Sequence, residues 1–327
     1  MAGTIACPMR RGVAAVALPL VLLAGCTDAA GTDAPETAAP SSSGVTSPDP
    51  TVTALPSPTA RDELADLAEQ AASQVPDQPK NAIPRAAAPV LGADVSWPQC
   101  PRGLGIPEKR TLGAPMPIPE ARFVVIGLTN GPGFYPNPCL AEQVAWVRER
   151  RLMAAAYAVA SYPDATTLAQ HRATGPYDGS TRLGALQNTG YQQALFNVAS
   201  MRRAGLETPI VWIDVEPVPD FEWSADPLAN SAVVDGLARG YVDAGYAIGV
   251  YSTPALWEGV VGGFELGVPE WRAAGQTSRA EAESRCGADW VIQGGSGVLG
   301  QWVEAARDQN ITCADVHLDL GAWFHQY

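Results

Sequence analysis

Pro209-Ile210-Val211-Trp212-Ile213-Asp214-Val215-Glu216-Pro217 is an apolar run that ends in two carboxylates and is bounded by proline on both sides. Its β-branched and aromatic residues read as a strand buried on both faces, as in a parallel sheet. Side chains alternate along a strand, so Asp214 and Glu216 point one way while Ile213 and Val215 point the other. Two acids about 7 Å apart along a strand, with no Lys or Arg in the run, repel each other and lose hydration. That raises a carboxyl pKa, which is how a general acid is made. By itself the pattern also fits a strand end whose acids face solvent or cap the next helix.

Outward from this strand, apolar segments alternate with amphipathic ones. Strands are predicted over 91–96, 122–129, 153–161, 209–216, 247–252, 269–274, 288–294 and 316–320, and helices over 140–150, 183–203, 229–244 and 279–285. Strands alternating with helices favour parallel pairing, and about 235 residues is a normal length for one eight-stranded barrel. The expected fold is therefore α/β, a TIM-like barrel whose connections become short and irregular late in the chain. In such barrels the site lies where the strands end, which is where Asp214 and Glu216 fall.

The chain has 327 residues and a formal charge of -13, with a pI near 4.6. That argues against a nucleic-acid partner, since phosphate binding needs a basic face. Arg10 and Arg11 precede an apolar run over 12–23 and then Leu23-Ala24-Gly25-Cys26, the layout of a secretory signal with a lipidation site at Cys26. Residues 1–25 are read as a lipoprotein signal peptide. Residues 26–90 are read as a Pro/Ala/Ser/Thr-rich linker with one short helix over 61–74, too poor in large apolar side chains to order itself otherwise. The folded domain is placed at 91–327, exported and tethered to the outer face of the membrane. Four cysteines remain in it, an even number in an oxidising compartment. Of the three pairings, Cys100 with Cys139 and Cys286 with Cys313 close modest local loops and are preferred. Asp214 and Glu216 supply too few oxygen ligands for a cation, and His171, His317 and His325 are scattered, so neither metal nor cofactor is expected.

Four motifs in order, Gly92-Ala93-Asp94-Val95-Ser96-Trp97-Pro98-Gln99, Trp212-Ile213-Asp214-Val215-Glu216, Gly249-Val250-Tyr251-Ser252 and Leu318-Asp319-Leu320, give a pattern that resembles the glycoside hydrolase family 25 lysozymes. The resemblance implies a flattened barrel with helices missing on one side, and cleavage of β-1,4 bonds in peptidoglycan. It also implies Glu216 as the general acid, Asp214 as its carboxylate partner, and Asp94 and Asp319 as further acids at the barrel mouth. Trp97, Tyr135, Trp212, Tyr251 and Trp290 stand at or near predicted strand ends, where flat rings could stack on sugars. Two function classes follow: a surface-anchored, monomeric glycan hydrolase, and a non-catalytic envelope lipoprotein that keeps the barrel and binds glycan. Retention of all four acids favours the first.

Overall fold

The computed structural model describes Ile83, 85–131 and 133–327. The signal segment with Cys26, the linker as far as residue 82 and the helix over 61–74 lie outside the described residues. Eight strands form a closed ring: β1 (Leu91–Val95), β2 (Phe123–Gly127), β3 (Met153–Val159), β4 (Ile210–Asp214), β5 (Ala247–Ser252), β6 (Glu270–Gln276), β7 (Gly297–Glu304) and β8 (Arg307–Thr312). Neighbours from β1 through β7 pair in parallel. β8 runs antiparallel to both β7 and β1, and closes the ring. A short ninth strand, β9 (His325–Gln326), pairs with the start of β3.

The last two strands correct the reading from sequence. Residues 288–294 are a 3-10 turn (Ala288–Trp290) and loop, and 316–320 is another 3-10 segment (Val316–Leu318). The true pair is a hairpin joined by Ala305 and Ala306, which take φ of 52° and 56°. Two consecutive positive φ values make a turn whose twist matches paired strands, a role usually filled by Asn or Gly. Alanine there gives no turn signal. β8 is also mostly polar, because its inward side chains serve the cavity described below and not an apolar core.

Helices α1 (Leu140–Glu149), α2 (Ala165–His171), α3 (Arg182–Ala204), α4 (Pro227–Asp243), α5 (Pro254–Val261) and α6 (Arg279–Ser284) cover the outside unevenly. α3 starts where Thr181 accepts from Gly184 N and ends at Gly205 with φ 70°. α4 starts at Pro227 behind Asp226, whose side chain accepts from Leu228 N. Each is a standard cap chemistry. α2 and α5 are absent from the sequence reading, being short and without a long periodic pattern. Between β1 and β2, and between β7 and β8, the described residues hold no α-helix, so the barrel is bare on that side.

The interior is filled by aromatic and aliphatic side chains: Phe123, Val125, Trp212, Trp271 and Leu299 are buried together with Phe324 from the C-terminal segment. Room for the rings comes from Gly92 and Gly249, where an added Cβ would collide with Phe123 and Trp212 respectively. Phe324 packs on Phe123 with centroids 4.4 Å apart, and Trp323 stacks on Trp212. Because Phe123 and Ile210 begin their strands, the segment 316–324 closes the N-terminal end of the barrel. The opposite end stays open.

Cys100 is bridged to Cys139 and Cys286 to Cys313. The first ties the β1–β2 loop to the start of α1, the second the α6–β7 loop to the end of β8. Thiol labelling of the denatured, unreduced domain is expected to modify none of the four, and loss of either bridge to lower stability by about 2 to 4 kcal/mol. Two or more labelled sites would refute the pairing.

Candidate active site

At the open end a cavity of about 670 Å³ is lined by Asp94, Asp214, Glu216 and Asp308 together with Trp97, Tyr157, Tyr251, Trp271, Trp290 and Gln301. Asp214 is the last residue of β4, and Glu216 follows two residues on, facing the same side. Val215 between them is held on both sides of its peptide. Its N–H donates to Tyr251 O at 3.0 Å, and its carbonyl accepts from Ser252 Oγ at 2.7 Å. The indole of Trp223 donates to Glu216 O at 3.0 Å. The acid-bearing extension of β4 is thus fastened to β5 and to the loop that follows it.

Asp94 comes from β1 and sits in a chain of directed hydrogen bonds. Its Oδ1 accepts from Gln301 Nε2 at 3.0 Å and from Asn310 Nδ2 at 2.8 Å. Gln301 in turn accepts from Tyr251 OH, and Asn310 from Trp271 Nε1 at 2.7 Å. Both amides are therefore oriented by a group behind them, which fixes the carboxylate in the cavity wall. Trp97 follows Ser96, whose N–H donates to Gln99 Oε1 at 2.8 Å and whose carbonyl accepts from Gln143 Nε2 of α1 at 2.6 Å.

All four carboxyls are pushed above the usual range. Burial is the main cause for Asp94, with the Asp308 charge adding to it and the two amide hydrogen bonds opposing it. Burial raises Asp214 first, then the charges of Glu216 and Asp94. Burial and then Asp308 raise Glu216, and burial raises Asp308. Asp214 Oδ1 is buried and has no hydrogen-bond partner. A carboxyl that is desolvated, crowded by like charge and short of donors holds its proton readily. Such a group can deliver a proton to a bound oxygen, and a neighbour that ionises first can face a developing positive charge. Among the described residues no group of three or more His, Cys, Asp and Glu side chains is placed to hold a metal ion.

The structure brings together Asp94, Asp214, Glu216, Trp97, Tyr251 and Trp290 of the residues singled out from sequence, and separates the others. Asp319 lies in the exposed segment at the closed end of the barrel, so the motif Leu318-Asp319-Leu320 does not form the last strand. Asp308, on the true β8, fills the place of the fourth acid at the mouth. Trp212 is fully buried one layer beneath the cavity, against Trp271 and Trp323. It faces inward like Asp214, but two residues earlier on the strand. Tyr135 is exposed on the β2–α1 loop and does not line the cavity. Asp308, Asn310 and Gln301 were missed because the hairpin carrying them gives no turn signal. Tyr157 and Trp271 sit mid-strand, where an aromatic reads as core.

No protein-family model matches the chain. Over 66 residues it is 38% identical to a Dictyostelium discoideum protein named "Probable GH family 25 lysozyme 4", a match covering 20% of this chain and 30% of that protein. The matched part thus spans under a third of the relative's length. Among solved structures, a bacterial lysozyme from Streptomyces coelicolor superposes with a TM-score of 0.45 at 15% identity, over 72% of this chain and 99% of that one. A muramidase from Trichobolus zukalii gives 0.45 at 17% identity, over 71% of this chain and 97% of that one.

Proposed function

We propose that the domain is a glycoside hydrolase acting on the β-1,4-linked amino-sugar strands of peptidoglycan, with Glu216 as general acid and Asp214 as its carboxylate partner. The observation that carries this is the cluster of four carboxyls with raised pKa at the strand ends, in a cavity walled by Trp97, Tyr251 and Trp290. The short match to a protein named as a lysozyme points the same way. In this reading the glycan lies across the open end with sugar faces against the rings. Glu216, half-buried, passes its proton to the glycosidic oxygen as the bond from that oxygen to the sugar carbon breaks. Asp214, deeper in the cavity, faces the positive charge that develops on that carbon, and a water adds its oxygen there while giving a proton back to Glu216. Asp94, held by Gln301 and Asn310, and Asp308 shape the field around the pair.

Zymography of the exported protein on cell-wall material tests the reading. A cleared zone, with new reducing ends, is the expected result; binding of the glycan with no cleavage would leave the non-catalytic alternative.

The run Leu23-Ala24-Gly25-Cys26 supports export and attachment to the outer face of the membrane through lipid on Cys26. Cys26→Ser is expected to move the protein from the membrane fraction to the medium. Equal membrane retention of the variant and the wild type would remove the anchor.

A further inference from the structure

The cavity wall between α6 and β7 differs chemically from the rest. Arg285 is the one cation among the side chains lining the cavity, set against Asp94, Asp214, Glu216 and Asp308. Its guanidinium lies over the indole of Trp290, with Cζ 3.1 Å from the ring centroid. Nε and Nη1 are buried and have no hydrogen-bond partner. Nη2 meets Glu281 Oε1 at 2.7 Å, but the Glu281 side chain is 43% exposed while that of Arg285 is 14% exposed. A pair open to water on the acid's side is weak and easily exchanged.

The ion pair is not what holds this corner in place. Arg285 O accepts from Arg272 Nη1 at 2.8 Å, and the next residue, Cys286, is bridged to Cys313 just past the end of β8. A guanidinium with two idle donors is therefore kept rigidly beside an indole. Donors shut away without an acceptor carry a penalty that an arriving acceptor removes. The planar fork suits a carboxylate, and the indole suits the face of a sugar ring. A neutral glycan has no group that needs this cation. An anionic one would be repelled by the four acids without it.

The geometry points to Arg285 and Trp290 as a subsite for an amino sugar that carries a carboxylate. The ring packs against Trp290, and the carboxylate takes the place of Glu281 on Arg285. The inference rests on the hydrolase reading for the polymer, while the recognition itself is a matter of binding. On a wall glycan this chemistry comes either from the free lactyl ether or from an attached peptide.

The test is calorimetric binding of soluble wall-glycan oligosaccharides to the full chain, with cleavage of the same compounds followed in parallel. Three forms are compared: peptide-free with free lactyl carboxylates, the same with its carboxyls amidated, and peptide-bearing. Wild type is expected to bind a carboxylated form about tenfold more tightly than the amidated one, and whichever form is preferred identifies the source. Arg285→Met keeps the side-chain stem on Trp290 and should bring that ratio close to one, with Arg285→Lys retaining part of it. Glu281→Gln releases Nη2 without altering Arg285 and should raise the ratio severalfold. The subsite is overturned if wild type shows no preference, if the preference survives Arg285→Met, or if Glu281→Gln leaves it unchanged. An Arg285-dependent preference without cleavage would sink the hydrolase reading and keep the subsite. Cleavage of all three forms alike, indifferent to Arg285, would do the reverse.

Discussion

Glu216→Gln is expected to lower turnover of wall glycan by about 10² to 10⁴, the usual worth of a positioned general acid, and Asp214→Asn to lower it by a comparable factor. Neither substitution changes packing volume, so both variants should fold. Their stability carries a second signature, whose sign follows from the raised pKa of these groups. An acid whose folded pKa lies above its unfolded value of about 4 binds protons more tightly when folded. Its contribution to stability is fully present below that unfolded value and is lost as pH rises through the raised one. Asp214→Asn removes one such group, together with its repulsion of Glu216 and Asp94. The variant should therefore unfold at a higher temperature than wild type at about pH 7, with the advantage gone at about pH 3. Full activity in either variant would take the pair out of the chemistry. An advantage for Asp214→Asn that grows toward low pH would contradict the burial of its charge.

The reading from sequence succeeded where local pattern and tertiary role agree. Strands β1 to β5 are short, mainly apolar runs between turn residues, and the long helices α3 and α4 are periodic and capped, so each announces itself. Asp214 and Glu216 were legible for the same reason: alternation along a strand fixes which side chains share a face, and an acid in an apolar run is conspicuous. Trp97 and Trp290 line the cavity and Trp212 does not; a ring two residues below a cavity carboxyl looks the same in sequence as one beside it. The failure at β7 and β8 has a different origin. Inward positions on β8 carry Asp308 and Asn310, so a strand at the heart of the site is polar on the face where apolar residues are expected. Its turn is built from two alanines in a conformation they seldom adopt. With that hairpin unseen, the last strand was assigned to the nearest apolar run, and Asp319 was carried to the mouth in place of Asp308. The two disulfides were legible because each closes a short loop.

Arg272→Met is expected to lower stability by about 3 to 5 kcal/mol, the cost of removing one partner of a buried ion pair. Glu270 and Arg272 share one face of β6, with side chains 0% and 3% exposed and Arg272 Nη2 2.8 Å from Glu270 Oε2. Trp271 between them points into the barrel, so the pair faces outward, where a helix covers most strands of such a fold. Here the cover beyond α6 is an irregular loop, and a buried loop must find partners for its own peptide groups. The pair supplies them. Glu270 accepts from Ile292 N, Gln293 N and Gly295 N at 2.8 to 2.9 Å. Arg272 donates to the carbonyls of Arg285, Gly287 and Gly295 at 2.7 to 3.2 Å. Replacing both charges by apolar residues often rescues a buried ion pair, because the lost attraction is offset by the desolvation no longer required. That rescue should fail in this protein: Glu270→Leu with Arg272→Leu leaves the loop's donors and carbonyls without partners, each at about 1 to 3 kcal/mol. Denaturant unfolding of the single and double variants, with disulfides intact, decides the matter. A double variant as stable as wild type would mean that the loop is held by Cys286–Cys313 and its own packing. Faster amide exchange over 285–295 in Arg272→Met, with the rest of the barrel unchanged, would locate the loss where the hydrogen bonds place it.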